Sequence, residues 1–383
     1  MDDHITELQS RSGPDGKPGT PRVMIIKLSA VGDVIHALPV LARLKSRIPS
    51  PRICWVVEAK AAAILVDNPL LDELVVIDTH RWRRSLLRPA HLAPLASLIL
   101  RFAVHLRRWR ADEVYDLQGL LKSGVLAWLS GAKRRIGFHR RLCREPINHR
   151  FTNEHRGPGI TDAKHVVDLN LSLVEGGGGE VTESDFTIAV GSADRDSIDR
   201  FLLDTFAGED FLVAVNPGAG WSTKRWPVQH FAALCRELTK HCKVRCLALW
   251  GPGEEDLAAA LVSAADNSVA LAPPTNLKQL YYLISRCDMF ISGDTGPLHL
   301  AAAAGCPSLA LFGPSDPRRN GPYGMRHTVI WKKPHCAPCY KRTCESQAEC
   351  IESIPVNLVV ERAAALITSI RGDRIHPAWV ELS

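Results

Sequence analysis

The sequence lacks the apolar segments that would carry it into or across a membrane. None of its apolar runs reaches the ~18–20 residues that a transmembrane helix needs. Residues 1–21 are polar, rich in glycine and proline, and without the apolar core of a signal peptide. The eleven cysteines are an odd number in a long chain without an export signal, which favours reduced thiols. We therefore expect a disordered leader over 1–21 and a cytoplasmic protein.

Two common nucleotide-binding patterns are missing as well. The apolar run VMII is followed by SAVGD, whose single glycine does not make the G-x-G-x-x-G pattern of dinucleotide-dependent oxidoreductases. The segment NPGAGWSTKRWP (216–227) contains a lysine, but the order Thr-Lys-Arg differs from the Gly-Lys-Ser/Thr of a P-loop. These absences argue against a dinucleotide-dependent oxidoreductase and against a P-loop protein.

What the sequence does contain is a regular alternation of apolar strands and helical patterns. With 383 residues, 46% hydrophobic and 23% charged, it has the composition of a globular protein of roughly two domains. The alternation indicates βαβ units and parallel sheets, and EGGGGEVTES (175–184) predicts a linker. We therefore predict an N-terminal domain over 22–180 and a C-terminal domain over 181–360. A helix or tail over 361–383 is expected to pack back on the first domain.

Basic residues cluster in the first half of the chain. The formal net charge is only +6, but the clusters are dense: HRWRRSLLRP (80–89), RFAVHLRRWR (101–110) and KRRIGFHRRLCRE (133–145). Such clusters are either solvated faces or the footprint of nucleic acid, phosphate or an acidic membrane surface. We favour an anionic partner because all three clusters lie in the same half.

The segment NPGAGWSTKRWP follows a predicted strand and precedes a predicted helix. Its glycines, Gly220 among them, let backbone N–H groups approach an anion. Ser222, Thr223 and Lys224 lie at the expected start of the helix. An ordinary strand-to-helix turn explains the glycines equally, but the hydroxyls and the cation together favour a phosphate site.

The most specific segment is SGDTGPLHLAAAAG (292–305). A strand ends at Asp294, and His299 falls one turn into the helix that follows. Thr295, Gly296 and the N-terminus of this helix would hold a pyrophosphate. The alternative for His299 is a purely structural histidine, but its position beside Asp294 favours a ligand-binding role.

Two further carboxylates stand directly after strands. In WGPGEED (250–256), Glu254 or the neighbouring Glu255 is placed to accept hydrogen bonds from ribose hydroxyls, although an acidic start to a helix explains these residues almost as well. In KLSAVGDVIHALP (27–39), Asp33 occupies a position where a phosphate loop would not tolerate a carboxylate. The start of a helix favours the ionised form of this carboxyl group.

Four cysteines near the C-terminus have the count of a zinc site. CAPCYKRTC (336–344) supplies one CxxC pair, Cys336 and Cys339, but the spacings to Cys344 and Cys350 are irregular and a second CxxC is missing. We therefore favour free thiols in a structured loop over a metal site.

Taken together, these segments resemble the ADP-heptose:lipopolysaccharide heptosyltransferases, glycosyltransferase family 9. KLSAVGDVIHALP, DLQGLLKSG (116–124), the Lys-Arg-Trp-Pro run at 224–227, SGDTGPLHLAAA and FGPSDP occur in the family's order. The resemblance covers about residues 22–360. RWRR (81–84), QGLLKS and CREP (143–146) look most like heptosyltransferase I, whereas CAPCYKRTC resembles type II-like members.

This resemblance implies a GT-B fold, in which two Rossmann-like α/β domains face each other across a cleft. It implies inverting transfer of heptose from ADP-L-glycero-β-D-manno-heptose to a lipopolysaccharide inner-core sugar, with no cofactor required. Asp33 would be the general base, Lys224 would stabilise the diphosphate, and the segment from Asp294 to His299 would bind ADP. The expected acceptor-binding residues are Arg81, Arg83, Arg84, Gln118, Lys122 and Arg144.

The partners implied are the ADP-sugar, a Kdo–lipid A or inner-core acceptor, and the anionic inner leaflet, met peripherally. No nucleic acid is expected. Two other interpretations stay open. One keeps the GT-B fold with another nucleotide-sugar or acceptor. The other is a basic nucleic-acid-binding protein with a four-cysteine zinc site, which leaves Asp33 and the DTGPLH segment unexplained.

Overall fold

A computed structural model describes residues 9–10, 19–79, 92–157, 165–174, 180–206, 211–266, 268–344, 350–373, 375 and 377–382. The chain divides into two units. The first comprises 1–181 with 187–189, and the second comprises 182–186 with 190–383. The division lies beside the domain boundary predicted at 180, while the four glycines of the predicted linker lie outside the described residues.

The first unit is built on a seven-stranded sheet. Its strands are β1 (Gln9–Ser10), β2 (Arg22–Ile26), β3 (Arg52–Glu58), β4 (Glu73–Ile77), β5 (Glu113–Asp116), β6 (Arg134–Phe138) and β7 (Glu154–Arg156). They lie in the order β1-β4-β3-β2-β5-β6-β7, and every neighbouring pair is parallel except β1 and β4. The chain reverses its direction of winding between β2 and β5. Ligands of open α/β sheets bind at such a switch point, outside the carboxyl ends of the strands.

Six α-helices are described in the first unit. They are α1 (Val31–Ile35), α2 (Leu38–Arg47), α3 (Ala59–Ala62), α4 (Leu92–Arg108), α5 (Leu121–Leu129) and α6 (Val166–Leu171). The sequence predicts a single helix over 33–48, whereas the structure divides it into α1 and α2. Pro39 lies in the first turn of α2, where its missing N–H costs no hydrogen bond.

Helix α4 has two contrasting faces. Phe102 and Leu106 of the helix, and Trp109 directly after it, are buried and pack with the apolar residues of the sheet, and Ala103 is buried as well. The opposite face exposes arginines, and it also exposes Leu100 and Val104. Hydrophobic residues on an outward face are unusual for a helix that already buries one apolar stripe.

The second unit has a seven-stranded sheet that is parallel throughout. Its strands are β8 (Leu212–Asn216), β9 (Arg245–Ala248), β10 (Val269–Leu271), β11 (Met289–Gly293), β12 (Ser308–Phe312), β13 (His327–Lys332) and β14 (Ala378–Leu382). They lie in the order β10-β9-β8-β11-β12-β13-β14. The switch point falls between β8 and β11, so both units have the Rossmann strand order. The predicted α/β class with parallel sheets is confirmed.

The helices of the second unit cover both sides of its strands. They are α7 (Ser192–Thr205), α8 (Val228–Cys242), α9 (Glu255–Ala264), α10 (Leu277–Ser285), α11 (Gly296–Ala303), α12 (Pro317–Asn320) and α13 (Val356–Arg371). Helix α8 shows why they form: Phe231, Leu234, Cys235 and Leu238 are fully buried and recur every three or four residues. None of the described helices combines the length and the apolarity that would let it cross a membrane.

Both ends of the chain differ from the sequence prediction. In the predicted disordered leader, Gln9–Ser10 pair with β4, whose edge would otherwise be open. The segment 361–383, expected as a tail on the first domain, is built into the second unit. Ala363, Leu366 and Ile367 of α13 are buried in its core, and β14 extends its sheet beyond β13.

Candidate active site

Asp33 lies at the switch point of the first sheet. The chain leaves β2 at Ile26, turns, and enters α1, in which Asp33 is the third residue. Its Oδ2 accepts a hydrogen bond from the backbone N–H of Ala30 at 3.0 Å and lies 3.6 Å from a guanidinium nitrogen of Arg144. The Asp33 side chain is 21% exposed. The carboxylate is thus held at the start of α1 while staying within reach of solvent.

Gln118 fixes the turn that leads to Asp33. Its Oε1 accepts hydrogen bonds from the N–H groups of Leu28 (2.9 Å) and Ser29 (3.4 Å), and its Nε2 donates to the Ser29 carbonyl at 2.9 Å. Lys27 donates from Nζ to the carbonyl of Leu117 at 2.7 Å. Gln118, predicted as an acceptor ligand, is buried and uses its amide to position the turn after β2.

Asp116 was missed by sequence reasoning and lies beneath this site. It is fully buried, and its carboxylate accepts four hydrogen bonds: from the N–H groups of Gln118 (2.9 Å) and Gly119 (3.2 Å), from Ser123 Oγ (3.0 Å) and from Asn148 Nδ2 (2.6 Å). Burial raises the pKa of Asp116, and the hydrogen bonds counter only part of that rise. The sequence feature that could have identified Asp116 as a site residue is its position at the end of a strand, at the start of DLQGLLKS.

The segment that carries Arg144 is fastened to the turn after β5. Gly119 has a φ of +67°, and a Cβ there would lie 3.3 Å from the Cα of Cys143. The Gly119 carbonyl accepts from the N–H of Glu145 at 3.0 Å, and the Glu145 carboxylate accepts from the N–H of Leu121 at 2.6 Å. Arg144 is held between these fixed neighbours, which brings its guanidinium to the Asp33 carboxylate.

Lys122 is the third predicted acceptor-binding residue within the described part of the chain, after Gln118 and Arg144. Its Nζ lies 2.8 Å from Oε1 of the buried Glu58 and 3.4 Å from Oγ1 of Thr79. It therefore joins the ends of β3 and β4 to α5, and its side chain stays 39% exposed. Arg81, Arg83 and Arg84 lie outside the described residues.

In the second unit, Lys224 and Asp294 meet where β8 and β11 adjoin. Lys224 Nζ lies 2.5 Å from Asp294 Oδ2, which also accepts from Ser315 Oγ at 2.5 Å. His299 Nε2 lies 3.6 Å from the other carboxylate oxygen. Burial alone would raise the pKa of Asp294, but the hydrogen bond from His299 and the charge of Lys224 outweigh it and lower the pKa to about 2. Asp294 is therefore ionised at neutral pH and holds the side chains of Lys224 and His299 at this point.

Helix α11 begins directly beside this pair. Thr295 caps it, with Oγ1 accepting from the N–H of Leu298 at 3.4 Å, and Gly296 is the first helical residue. A Cβ at Gly293 would lie 2.4 Å from the Lys224 carbonyl oxygen, so glycine lets the turn carrying Lys224 approach β11. The predicted pyrophosphate residues of this segment and Lys224 are thus brought together.

Ser222 and Thr223 make contacts that sequence reasoning missed. Ser222 Oγ donates to the carbonyl of Arg342 at 3.2 Å, and Thr223 Oγ1 donates to the carbonyl of Lys341 at 2.7 Å. Lys224 Nζ lies 4.4 Å from the ring centroid of Trp221. The two hydroxyls predicted for phosphate therefore fasten the cysteine-bearing segment to the loop after β8.

Glu254 and Gly220 lie in the neighbouring turns. The Glu254 carboxylate accepts from the N–H of Gly251 at 3.2 Å, and it lies so close to Gly218 that a Cβ there would collide with it. Around Gly220 there is open space for a side chain. Glu254 is consequently held by backbone beside the loop after β8, while the backbone at Gly220 is accessible.

The four cysteines near the C-terminus lie in a segment of which 336–344 and 350 are described. Cys336, Cys339, Cys344 and Cys350 form no disulfide, and Cys336 and Cys344 are exposed. Burial, assisted by the charge of Glu352, raises the pKa of Cys350 to about 11. Across the described residues, no group of three histidines, cysteines or carboxylates is arranged to hold a metal ion.

Comparison with known proteins gives consistent results. Residues 99–349 match the profile of "Glycosyltransferase family 9 (heptosyltransferase)". The chain is 31% identical over 327 residues to "Lipopolysaccharide heptosyltransferase 1" of Pseudomonas aeruginosa, which covers 85% of this chain and 88% of that protein. The solved structure of Escherichia coli heptosyltransferase WaaC with ADP is 25% identical, covers 90% of this chain and 99% of its own, and superposes with a TM-score of 0.69. The same enzyme with ADP-2-deoxy-2-fluoro heptose has the same identity and coverages and a TM-score of 0.67.

These likenesses extend over most of the chain. The family profile matches more than half of the sequence, and the WaaC structures share the two Rossmann-like domains of the GT-B fold. The predicted fold class and transferase activity are thereby confirmed. The chain is a GT-B glycosyltransferase, and it belongs to glycosyltransferase family 9, the heptosyltransferase family.

Proposed function

We propose that the protein moves L-glycero-D-manno-heptose from ADP-heptose to the Kdo/heptose inner core of lipopolysaccharide, with inversion at the anomeric carbon. The observation that carries this proposal is the cluster of Lys224, Asp294, His299 and Ser315 at the second switch point. Relatives named lipopolysaccharide heptosyltransferase 1, and WaaC structures that contain ADP and an ADP-heptose analogue, support the choice of donor and acceptor.

The second unit supplies the donor site. Lys224 and the N–H groups at the start of α11 would face the diphosphate, and both stabilise the negative charge that ADP gains as it leaves. Asp294 orients Lys224 and His299 by pairing with both. Glu254, held by the N–H of Gly251, is available for a ribose hydroxyl.

The first unit supplies the base and the side chains that bind the acceptor. The acceptor hydroxyl oxygen attacks the anomeric carbon from the face opposite ADP, forming the new glycosidic bond as the bond to the phosphate oxygen breaks. Asp33 takes the proton that the hydroxyl loses. Arg144 and Lys122 present positive charge at the same sheet edge and suit the carboxylates and phosphates of a Kdo–lipid A acceptor. No cofactor or catalytic metal enters this reaction scheme.

The membrane surface that presents such an acceptor is met peripherally through α4. Leu100 and Val104 are exposed on its outward face, with Arg101 and Arg108 beside them, and Trp128 of α5 is exposed nearby. Apolar side chains interleaved with arginines bind anionic bilayers at the headgroup level. Replacing Leu100 and Val104 by serine should reduce cosedimentation with phosphatidylglycerol vesicles, whereas serine at the exposed Leu203 of α7 should not. Equal binding of both variants would remove α4 from the membrane contact.

A transfer assay tests the reaction itself. ADP-heptose is supplied with either Kdo–lipid A or heptosyl–Kdo–lipid A, and product formation is followed by mass spectrometry. Transfer to Kdo–lipid A assigns a type I acceptor, and transfer only to the heptosylated substrate assigns type II. UDP- and GDP-sugars serve as donor controls. Failure with both acceptors, or transfer from one of the control donors alone, would overturn the proposal.

A further inference from the structure

The segment 336–344 is attached to both loops that carry the donor-site residues. Ser222 and Thr223, directly before Lys224, donate their hydroxyl hydrogens to the carbonyls of residues 342 and 341. On the other side, the N–H groups of Cys339 and Tyr340 both donate to the carbonyl of Pro314 at 3.0 Å, next to Ser315. The segment therefore has a fixed position beside the donor site.

Arg342 is brought by these contacts to the same aromatic ring as Lys224. Its guanidinium carbon lies 5.5 Å from the ring centroid of Trp221, and Lys224 Nζ lies 4.4 Å from that centroid. Because both distances end at one point, the two cationic groups lie within about 10 Å of each other. That is about the Debye length of ~10 Å at 0.1 M salt, so a single anion between them is attracted by both charges.

Three other cations around this loop have partners. Lys224 is paired with Asp294, and Arg225 donates from Nε to the carbonyl of Ala219 at 2.9 Å. Arg318 pairs with the Asp316 carboxylate. Among the ion pairs formed by the described residues, none involves the exposed Arg342.

We infer that Arg342 is a second diphosphate-binding cation of the donor site and that Ser222 and Thr223 position it. The inference rests on the proposed nucleoside-diphosphate sugar as donor. A diphosphate carries more negative charge than the Lys224–Asp294 pair can balance, since the carboxylate offsets the lysine. A guanidinium supplies an unpaired charge and two parallel N–H donors that match phosphate oxygens. The cysteine-bearing segment then serves the donor site through this arginine.

Titration calorimetry with ADP tests the inference in the full-length protein. Arg342→Ala should weaken ADP binding about ten- to a hundredfold, the range for lost hydrogen bonds to a charged group. Lys341→Ala is the matched control: it removes the same charge from the adjacent exposed position and should change ADP affinity less than threefold. Binding of AMP, which lacks the second phosphate, should be affected less by Arg342→Ala than binding of ADP.

The positioning role predicts a separate result. Thr223→Ala retains the Arg342 side chain but removes the hydrogen bond that holds its segment in position. This variant should therefore raise the KM for the ADP-sugar more than it lowers kcat. Thr223→Ser keeps the hydroxyl and should restore the KM. An unchanged KM in Thr223→Ala would show that the hydroxyl only stabilises the loop.

The outcomes separate this inference from the choice of donor. If the wild-type protein binds ADP and Arg342→Ala binds it equally well, the role of Arg342 is refuted while the donor stands. If the protein instead binds UDP or GDP, and Arg342→Ala weakens that binding, Arg342 keeps its role and ADP is the wrong donor. If none of the three diphosphates binds the intact protein, both statements fail.

Discussion

The two units place an aspartate at corresponding ends of similar sheets but surround it differently. Asp33 is 21% exposed, accepts one backbone hydrogen bond, and has one guanidinium at 3.6 Å. Asp294 is 7% exposed and is contacted by the side chains of Lys224, Ser315 and His299. A carboxylate enclosed by donors acts by holding them in place, whereas one with an open side can accept a proton from a substrate. The difference supports the proposal that the first unit holds the base and that the second binds the donor.

The strongest test of the different roles of Asp33 and Asp294 is to remove the proposed base. Asp33→Asn keeps an oxygen that can accept from the N–H of Ala30, but it cannot take a proton at neutral pH. Transfer to a Kdo–lipid A acceptor should fall by about 10²–10⁴-fold, the usual contribution of a general base. ADP affinity, measured by calorimetry, should stay within about twofold, since no contact of Asp33 belongs to the donor site.

The mirror variant supplies the control for this experiment. Asp294→Asn removes the charge that orients Lys224 and His299, so ADP affinity should change together with the rate. Near-normal turnover by Asp33→Asn would show that the base lies elsewhere, whatever the behaviour of Asp294→Asn.

A smaller effect is expected from Lys224→Ala, which removes the paired cation of the second site. The departing diphosphate loses electrostatic stabilisation, and Asp294 is left buried with fewer donors. We expect kcat to fall about 10²–10³-fold, as for other residues that stabilise developing negative charge, and ADP affinity to fall as well. Steady-state kinetics and calorimetry measure the two quantities.

The matched variant lies in the first unit. Arg144→Ala also removes a cation beside a carboxylate, but it should raise the KM for the acceptor and leave ADP affinity unchanged. If Arg144→Ala lost ADP affinity, or if Lys224→Ala retained it, the assignment of acceptor binding to the first unit and donor binding to the second would be wrong.

The sequence predicted the strands that lead into both sites. The strands over 52–58, 211–217 and 288–294 are apolar runs that end at a glutamate, an asparagine and a glycine in the structure, and such runs can be recognised without tertiary information. The strands β6, β7, β13 and β14 were missed. β6 and β7 carry several charged residues, and the apolar runs of β13 and β14 are only three residues long. The break between α1 and α2 depends on Pro39, which the helical periodicity of the surrounding residues concealed.

Long-range contacts explain what the sequence could not reveal about the sites. Ser222 and Arg342 are 120 positions apart, and Asp116 and Asn148 are 32 apart, so no local pattern connects them. Hydroxyls before a lysine suggest a phosphate loop, but only the folded chain shows that carbonyls of another segment accept their hydrogen bonds. In the sequence, Asp116 is only the last residue of a predicted strand. Its burial and the hydrogen bond that it accepts from the N–H of Gln118 are seen only in the assembled sheet.

The smallest effect we predict is a pH dependence of the free energy of unfolding that comes from Asp294. Its pKa is lowered from 3.8 to about 2 in the folded protein. Between these values the unfolded chain binds the proton and the folded chain does not, so stability from this group is complete above pH ~4 and is lost as pH falls through about 2. The free energy of unfolding should therefore decrease by about 2 kcal/mol more in the wild type than in Asp294→Asn over that window.

Urea unfolding at closely spaced pH values from 5 to 2, followed by tryptophan fluorescence, measures the difference between the two proteins. Other carboxyl groups titrate in the same range, and comparison with Asp294→Asn removes their contribution because they are common to both. Parallel curves would mean that Lys224 and His299 do not stabilise the charged form in solution. The enclosure that distinguishes Asp294 from Asp33 would then be only steric, and orientation of Lys224 by charge could no longer explain the donor site.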